Sequence, residues 1–293
     1  MSSIPSVVCA VDLSNRSAHV LQHAGAVAEH FRVRLIAVAV APEERLASNA
    51  MAALVQDVLP ASEPGTPECD VRVAGGPPAA AILRVAHDEG ADLLVMGTHG
   101  NGGFRQGSLG STTQAVLRHA DLPVLVVPNT VSDLHSFDDR HALRNLGSVL
   151  APIDFGPLSR RDARIASGIA ETLGVPLLLV HVSPAQPADC GLDPESAVAQ
   201  LSELRDTVAA ATPVEILAVR GEPADAIAAI ASERNVGLVV MGLRGAGGAE
   251  GPRPGSTAYR VLCTTPTMLL ALPPVLRRSA PESKDRDRVV YAF

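Results

Sequence analysis

The chain has 293 residues, 47% of them hydrophobic and 19% charged, which is ample apolar material for two buried cores. Its net charge of -7 and its seven aromatic residues, with no Trp among them, argue against a nucleic-acid binder, which needs a basic footprint and platforms for stacking bases. No apolar run approaches the ~18 residues of a spanning helix, and the opening Met1-Ser2-Ser3-Ile4-Pro5-Ser6 lacks the charged and apolar regions of a secretory signal.

In chain order, Val7 to Val11 is a continuous apolar run, as in a strand buried on both faces. Ser14 to Ser17 offer helix caps, and Val20, Leu21, Ala24, Val27 and Ala28 recur at helical spacing. Arg34–Val40 reads as a second strand, and Glu43–Leu59 as a helix stopped by Pro60. A third strand follows at Asp70–Ala74. Two prolines then open a helix over Ala79–Glu89. Asp92–Met96 is a fourth strand, a glycine loop leads into a helix over Thr112–His119, and Val124–Val127 is a fifth strand. Alternation of this kind predicts a parallel sheet with helices on both faces. The second half repeats it, with strands near Val149–Ile153, Leu177–Val182, Val214–Val219, Leu238–Met241 and Met268–Ala271.

The repetition extends to single residues. Val7–Pro42 aligns without a gap on Val149–Pro184 at an offset of 142, which sets Asp12 on Asp154. Gly97-Thr98-His99-Gly100, nine residues and Gly110-Ser111-Thr112 recur as Gly242-Leu243-Arg244-Gly245, nine residues and Gly255-Ser256-Thr257, at an offset of 145. That period is the size of one ordinary domain. The chain therefore divides into a first domain over 1–130, a polar linker over 131–147, a second domain over 148–275 and a charged C-terminal tail over 276–293, expected to be mobile. Cys9, Cys69, Cys190 and Cys263 are scattered and form no C-x-x-C pair, so the expected setting is the reducing cytoplasm.

In an open parallel sheet, ligands bind outside the carboxyl ends of the strands where the strand order reverses. Asp12 ends the first strand and Gly97 the fourth, so both signals fall on one crevice. Glycines let the backbone turn and approach a ligand. Their N–H groups, with the start of the Thr112 helix, offer donors and a positive dipole end to phosphate oxygens. Ser111 and Thr112 add hydroxyls. Asp12 suits ribose hydroxyls or Mg²⁺. The same residues have plainer uses. Asp12 and Asp154 also suit capping of the following helix, Gly97 and Gly100 a tight turn, and Ser111 and Ser256 N-caps. His99 also suits an exposed loop. His19 and His23 stand four apart on a helix without an acidic partner, which suits a packed or solvated face better than a metal. No P-loop and no dinucleotide fingerprint is present, and no placed nucleophile or base pair marks a dedicated catalyst.

Strand-final Asp12, Met96-Gly97-Thr98-His99-Gly100, the nine-residue spacer, Gly110-Ser111-Thr112 and Pro123–Pro128 together resemble the ATP-binding branch of the universal stress proteins, and the doubled pattern resembles its tandem members. The resemblance implies two tandem Rossmann-like α/β domains, of the adenine-nucleotide hydrolase type, each with a five-stranded parallel sheet in the order 3-2-1-4-5. It implies adenine between Ala10 and Val40, Asp12 and Gly97 on adenosine, and His99, Gly100, Gly110, Ser111 and Thr112 on phosphates, with Met96 beside them. In the second half, Pro152, Asp154, Val182, Met241, Gly242, Gly245, Gly255, Ser256 and Thr257 keep the matching positions, and Arg244 replaces the histidine. Glu250, Pro252 and Pro254 alter the second spacer, which favours the first half as the working site. The resemblance also implies that fifth strands pair across a twofold axis, here within one molecule, with a homodimer of chains as a further step. The expected function is an ATP-binding regulator, its nucleotide carried with Mg²⁺. A scaffold that binds no nucleotide, a slow ATPase, and a binder of AMP or a cyclic nucleotide are the alternatives.

Overall fold

The computed structural model describes residues 5–59, 67–99, 108–128, 146–184, 192–208, 211–243 and 256–274. The segments read as linker, except for Leu146 and Gly147, and as tail lie outside the described residues, as do Cys190 and most of both glycine spacers.

The first half runs β1 (Ser6–Val11), α1 (Ser17–Phe31), β2 (Arg34–Val40), α2 (Glu44–Val58), β3 (Cys69–Ala74), α3 (Pro78–Asp88), β4 (Leu93–Gly97), α4 (Ser111–His119) and β5 (Val124–Val127). The second half repeats that order as β6 (Ser148–Pro152), α5 (Ser159–Leu173), β7 (Leu177–Ser183), α6 (Pro194–Thr207), β8 (Val214–Arg220), α7 (Pro223–Glu233), β9 (Val236–Gly242), α8 (Thr257–Thr264) and β10 (Met268–Leu272). The strands form one sheet in the order β3-β2-β1-β4-β5-β10-β9-β6-β7-β8, so each half has the order 3-2-1-4-5. All pairings between named strands within a half are parallel. The junction is antiparallel, with Leu269 opposite Val126, Leu270 opposite Leu125 and Ala271 opposite Val124. Leu125 and Leu270 are equivalent under the 145-residue offset, so a pseudo-twofold axis passes between them.

This junction disposes of two sheet edges that would otherwise be open to other chains. It also explains the burial of the fifth strands, which are apolar throughout and covered on both faces. The outer strands β3 and β8 are only partly buried. Across the edge strand β3, Arg34 and Arg72 pair with Asp70 and Glu89 in a four-membered network, with Arg34–Asp70 and Arg72–Glu89 both at 2.7 Å. Two apolar cores flank the sheet, and each runs through both halves.

The repeat holds at the level of register. Val7 pairs with Leu35 and Val149 with Leu177, and α1 and α5 have the same bounds after the 142-residue shift. Strand β9 begins two residues earlier than the apolar run suggests. Gly147 bridges to Val236 there, and a Cβ on Gly147 or Gly237 would collide with the backbone of Asn235 or Leu146 respectively. Leu146 and Gly147, at the end of the segment read as linker, thus pack onto the second half.

Candidate nucleotide crevices

The crevice in each half arises where β1 or β6 parts two neighbours. Ala10 lies in register with Met96, so the ends of β1 and β4 emerge side by side. Val149 in register with Leu238 gives the second half the same arrangement. Past the glycines, Thr98 N–H donates to Val127 O at 3.1 Å and Leu243 N–H to Leu272 O at 2.9 Å. Each chain thus leaves its glycine still joined to its own fifth strand. Ala10 and Met96 are buried in the same core layer, with Val40 packed against it. Met241 and Val182 hold the equivalent places in the second half.

Asp12 directly follows β1, Asp154 stands two residues past the end of β6, and both are exposed. Asp12 Oδ1 accepts from Ser14 N–H at 3.1 Å and from the Ser17 hydroxyl at 3.0 Å. Asp154 Oδ1 accepts from Gly156 N–H at 2.8 Å and from the Ser159 hydroxyl at 2.6 Å. Both carboxylates therefore organise the turn into the next helix, the plainer of the two uses open to them. The residue after each, Leu13 with φ 61° and Phe155 with φ 57°, is in the left-handed region that side chains rarely adopt. Neither outlier is signalled by residue type. The same strain at equivalent points marks both turns as held in place by their surroundings.

The start of α4 is fixed to the end of β4. Gly110 N–H donates to Thr98 O at 2.8 Å, and the Thr113 hydroxyl donates to Gly97 O at 2.8 Å. A Cβ on Gly110 would stand 3.0 Å from Thr98 O and 3.3 Å from His99 Cα. Close backbone packing is one reason for glycine there. Gly110 is the N-cap of α4, while in the second half Ser256 is the N-cap of α8, its hydroxyl accepting from Tyr259 N–H at 3.3 Å. Ser111 and Thr112 open α4, and Thr257 opens α8. Burial pushes the His99 imidazole pKa down, and the charge of Arg16 acts in the same direction. Gly100, Arg244, Gly245 and Gly255 lie outside the described residues, as do Glu250, Pro252 and Pro254. His23 is buried on α1, its Nδ1 2.8 Å from His19 O, and the two rings meet edge to face at 4.3 Å.

In the second half the crevice is a cavity of about 560 Å³. Pro152, Asp154, Val182, Met241, Gly242, Ser256 and Thr257, read from widely separated parts of the sequence, all line it. So do two residues that sequence reasoning passed over, Asp162 and His181. Asp162 is buried on α5, and Arg161 grips it from one side, Nε at 2.8 Å and a terminal nitrogen at 2.7 Å, both on Oδ1. Arg161 is itself anchored on the carbonyls of Pro273 and Pro274 at 2.9 and 3.0 Å. Burial pushes the Asp162 carboxyl pKa up, against the pull of Arg161. His181 Nδ1 lies 2.7 Å from Ile153 O, and its ring lies 4.6 Å from that of Phe155. The signal was present in the repeat: Asp162 falls on Val20 and His181 on Ala39, so each breaks an apolar pattern that the first half keeps.

The family model of the universal stress protein family matches residues 4–128 and 146–273. The chain belongs to that family. A universal stress protein of Mycobacterium tuberculosis strain H37Rv is 31% identical over 195 residues, covering 63% of this chain and 62% of the relative. The chain thus spans less than two thirds of the length of that relative. Among solved structures, a universal stress protein from Archaeoglobus fulgidus has a TM-score of 0.67 at 21% identity, covering 92% of this chain and 98% of its own. A second, from Pseudomonas aeruginosa, has a TM-score of 0.64 at 19% identity, covering 99% and 96%. At such identities the likeness is one of fold: two tandem Rossmann-like units sharing one sheet.

Proposed function

We propose that this universal stress protein is a regulator that binds ATP with Mg²⁺ in one or both crevices and is not a dedicated catalyst. One observation carries the reading: seven residues drawn from β6, β7, β9 and α8, with the turn after β6, line a single cavity of about 560 Å³. That volume lies within the usual range of small-molecule sites, roughly 300–1,000 Å³. Its composition suits the two ends of a nucleotide. Pro152, Val182 and Met241 offer an apolar slot for a base, and the N-terminus of α8, with Ser256 and Thr257, offers N–H groups, hydroxyls and a positive dipole end for phosphates. Mg²⁺ would neutralise phosphate charge near Asp154. The first half offers Ala10, Met96 and Val40 in one layer and the α4 N-terminus at Gly110.

The reading extends to a cytoplasmic location. Among the described residues no helix is long and apolar enough to cross a membrane. A dimer of chains belongs to the same proposal, and it would use a surface other than the fifth strands, which already pair within the molecule.

The test is a calorimetric titration of the nucleotide-stripped full chain with Mg·ATP, with AMP and cyclic AMP as competitors. Two equivalents of ATP mean both crevices work, and one equivalent means a division of labour between the halves. Absence of binding to any of the three nucleotides refutes the reading and leaves a duplicated scaffold.

A further inference from the structure

We propose that Asp162 and His181 make the second crevice selective for a ligand that brings hydrogen-bond donors, and that the first crevice lacks this selectivity. The inference rests on the nucleotide reading, within which the donor group is the exocyclic amine of adenine.

Both residues are buried, at 7% and 8% exposure, and both line the cavity. Each retains one acceptor. The two Arg161 contacts of Asp162 fall on Oδ1, so Oδ2 has no hydrogen bond among the described residues. Because a carbonyl oxygen can only accept, the 2.7 Å contact between His181 Nδ1 and Ile153 O fixes the ring proton on Nδ1. The other nitrogen, Nε2, is then a lone-pair acceptor in the neutral imidazole. Arg161 is a positioning residue: pinned on the Pro273 and Pro274 carbonyls, it holds the Asp162 carboxylate in one orientation.

The cavity is therefore polarised. Donors stand at the N-terminus of α8, and acceptors stand on α5 and β7. A ligand that pairs with both sets needs an anionic group for the donors and N–H groups for the acceptors. An apolar pocket discriminates weakly between close analogues, whereas buried polar groups left unpaired by the wrong ligand discriminate strongly. The first half carries Val20 and Ala39 at these positions, both buried in its apolar core, and so offers no such acceptors.

The test compares Mg·ATP with its N6,N6-dimethyl analogue, which keeps ribose and phosphates but has no N6–H. Calorimetric titrations use the full chain as wild type, His181→Ala, His181→Gln and Asp162→Asn, with thermal unfolding to establish that each variant is folded. The expected result is at least about a tenfold loss of affinity for the analogue at one site of the wild type. That preference should disappear in His181→Ala, the residue of the first half, and persist in His181→Gln, which restores an acceptor. Equal binding of ATP and analogue at every site, or a preference indifferent to both His181→Ala and Asp162→Asn, overturns the proposal while leaving nucleotide binding intact. If neither compound binds the wild type, the nucleotide reading itself fails.

Discussion

Replacing Gly110 with alanine adds one methyl group where α4 meets β4, and the structure decides the sign of its effect. The backbone of Gly110, φ -57° and ψ 141°, is open to any residue, so no conformational penalty arises. On that ground alone the change would stabilise, by about 0.4–1 kcal/mol, through the lower entropy of the unfolded chain. Against this, the new Cβ would stand 3.0 Å from Thr98 O and 3.3 Å from His99 Cα, both backbone atoms. Thr98 is poorly placed to yield, because its carbonyl accepts from Gly110 N–H and its own N–H donates to Val127 O. Overpacking of this kind costs about 1–3 kcal/mol. Cost less gain leaves a loss of about 0–2.6 kcal/mol, centred near ~1.3 kcal/mol, or ~3–5 °C in Tm at the centre for a protein of this size. Gly75→Ala is the control: it has a negative φ and nothing within 4 Å of its Cβ, so it should raise Tm slightly. Thermal and urea unfolding read both. A Gly110→Ala protein more stable than wild type, as expected of Gly75→Ala, would mean that the close contact between the α4 start and the β4 end is not as described.

Three further expectations concern other parts of the molecule. Burial lowers the His23 pKa to about 4 from 6.5, so the unfolded state binds the extra proton between those values. His23 should therefore cost nothing above pH 6.5 and cost stability as pH falls from about 6.5 to 4, up to about 3 kcal/mol. His23→Ile, which copies Ile165 of the second half, should flatten that slope by one proton in unfolding measured across the window, and an unchanged slope would exclude His23 as its source. Glu89→Gln weakens the partly exposed network with Arg34 and Arg72 and should cost less than about 1 kcal/mol, with the effect vanishing at 1 M salt, as read by urea unfolding at two ionic strengths. Tyr259→Phe removes the hydroxyl that accepts from Leu109 N–H at 3.4 Å, so it should lower stability by about 1 kcal/mol or less and loosen the contact between the two halves, readable as faster hydrogen exchange at Leu109.

Much of the fold was legible because the sequence states it twice. Continuous apolar runs such as Val7–Val11 and Val124–Val127 are what strands covered on both faces require, and their bounds differ from the observed ones by a residue or less. The strand order came from the family likeness rather than from the residues, since periodicity cannot say which parallel strands are neighbours. Pairing of the fifth strands was legible in the same way, and their two-sided burial has its physical reason in the Leu125–Leu270 junction. What the residues could not give were the turns after Asp12 and Asp154. A left-handed Leu13 or Phe155 contradicts local preference and exists because the two strands, the carboxylate and the helix start fix the path between them.

The two halves also differ in a way that a search for shared motifs hides. Motif matching rewards agreement, so it gathered Gly97 with Gly242 and Ser111 with Ser256, and it favoured the half whose spacer looked more regular. The cavity described in the second half is walled partly by residues that disagree with their counterparts, Asp162 with Val20 and His181 with Ala39. A carboxylate and an imidazole in an otherwise apolar pattern cost stability unless something pairs with them. Arg161 and the Ile153 carbonyl supply part of that pairing, on one atom of each side chain. Both residues line the cavity, and the other acceptor of each has no hydrogen bond among the described residues. In a duplicated protein the common residues describe the fold and its shared chemistry, while a buried polar exception that lines a cavity, unlike His23, is where one half would gain a preference of its own.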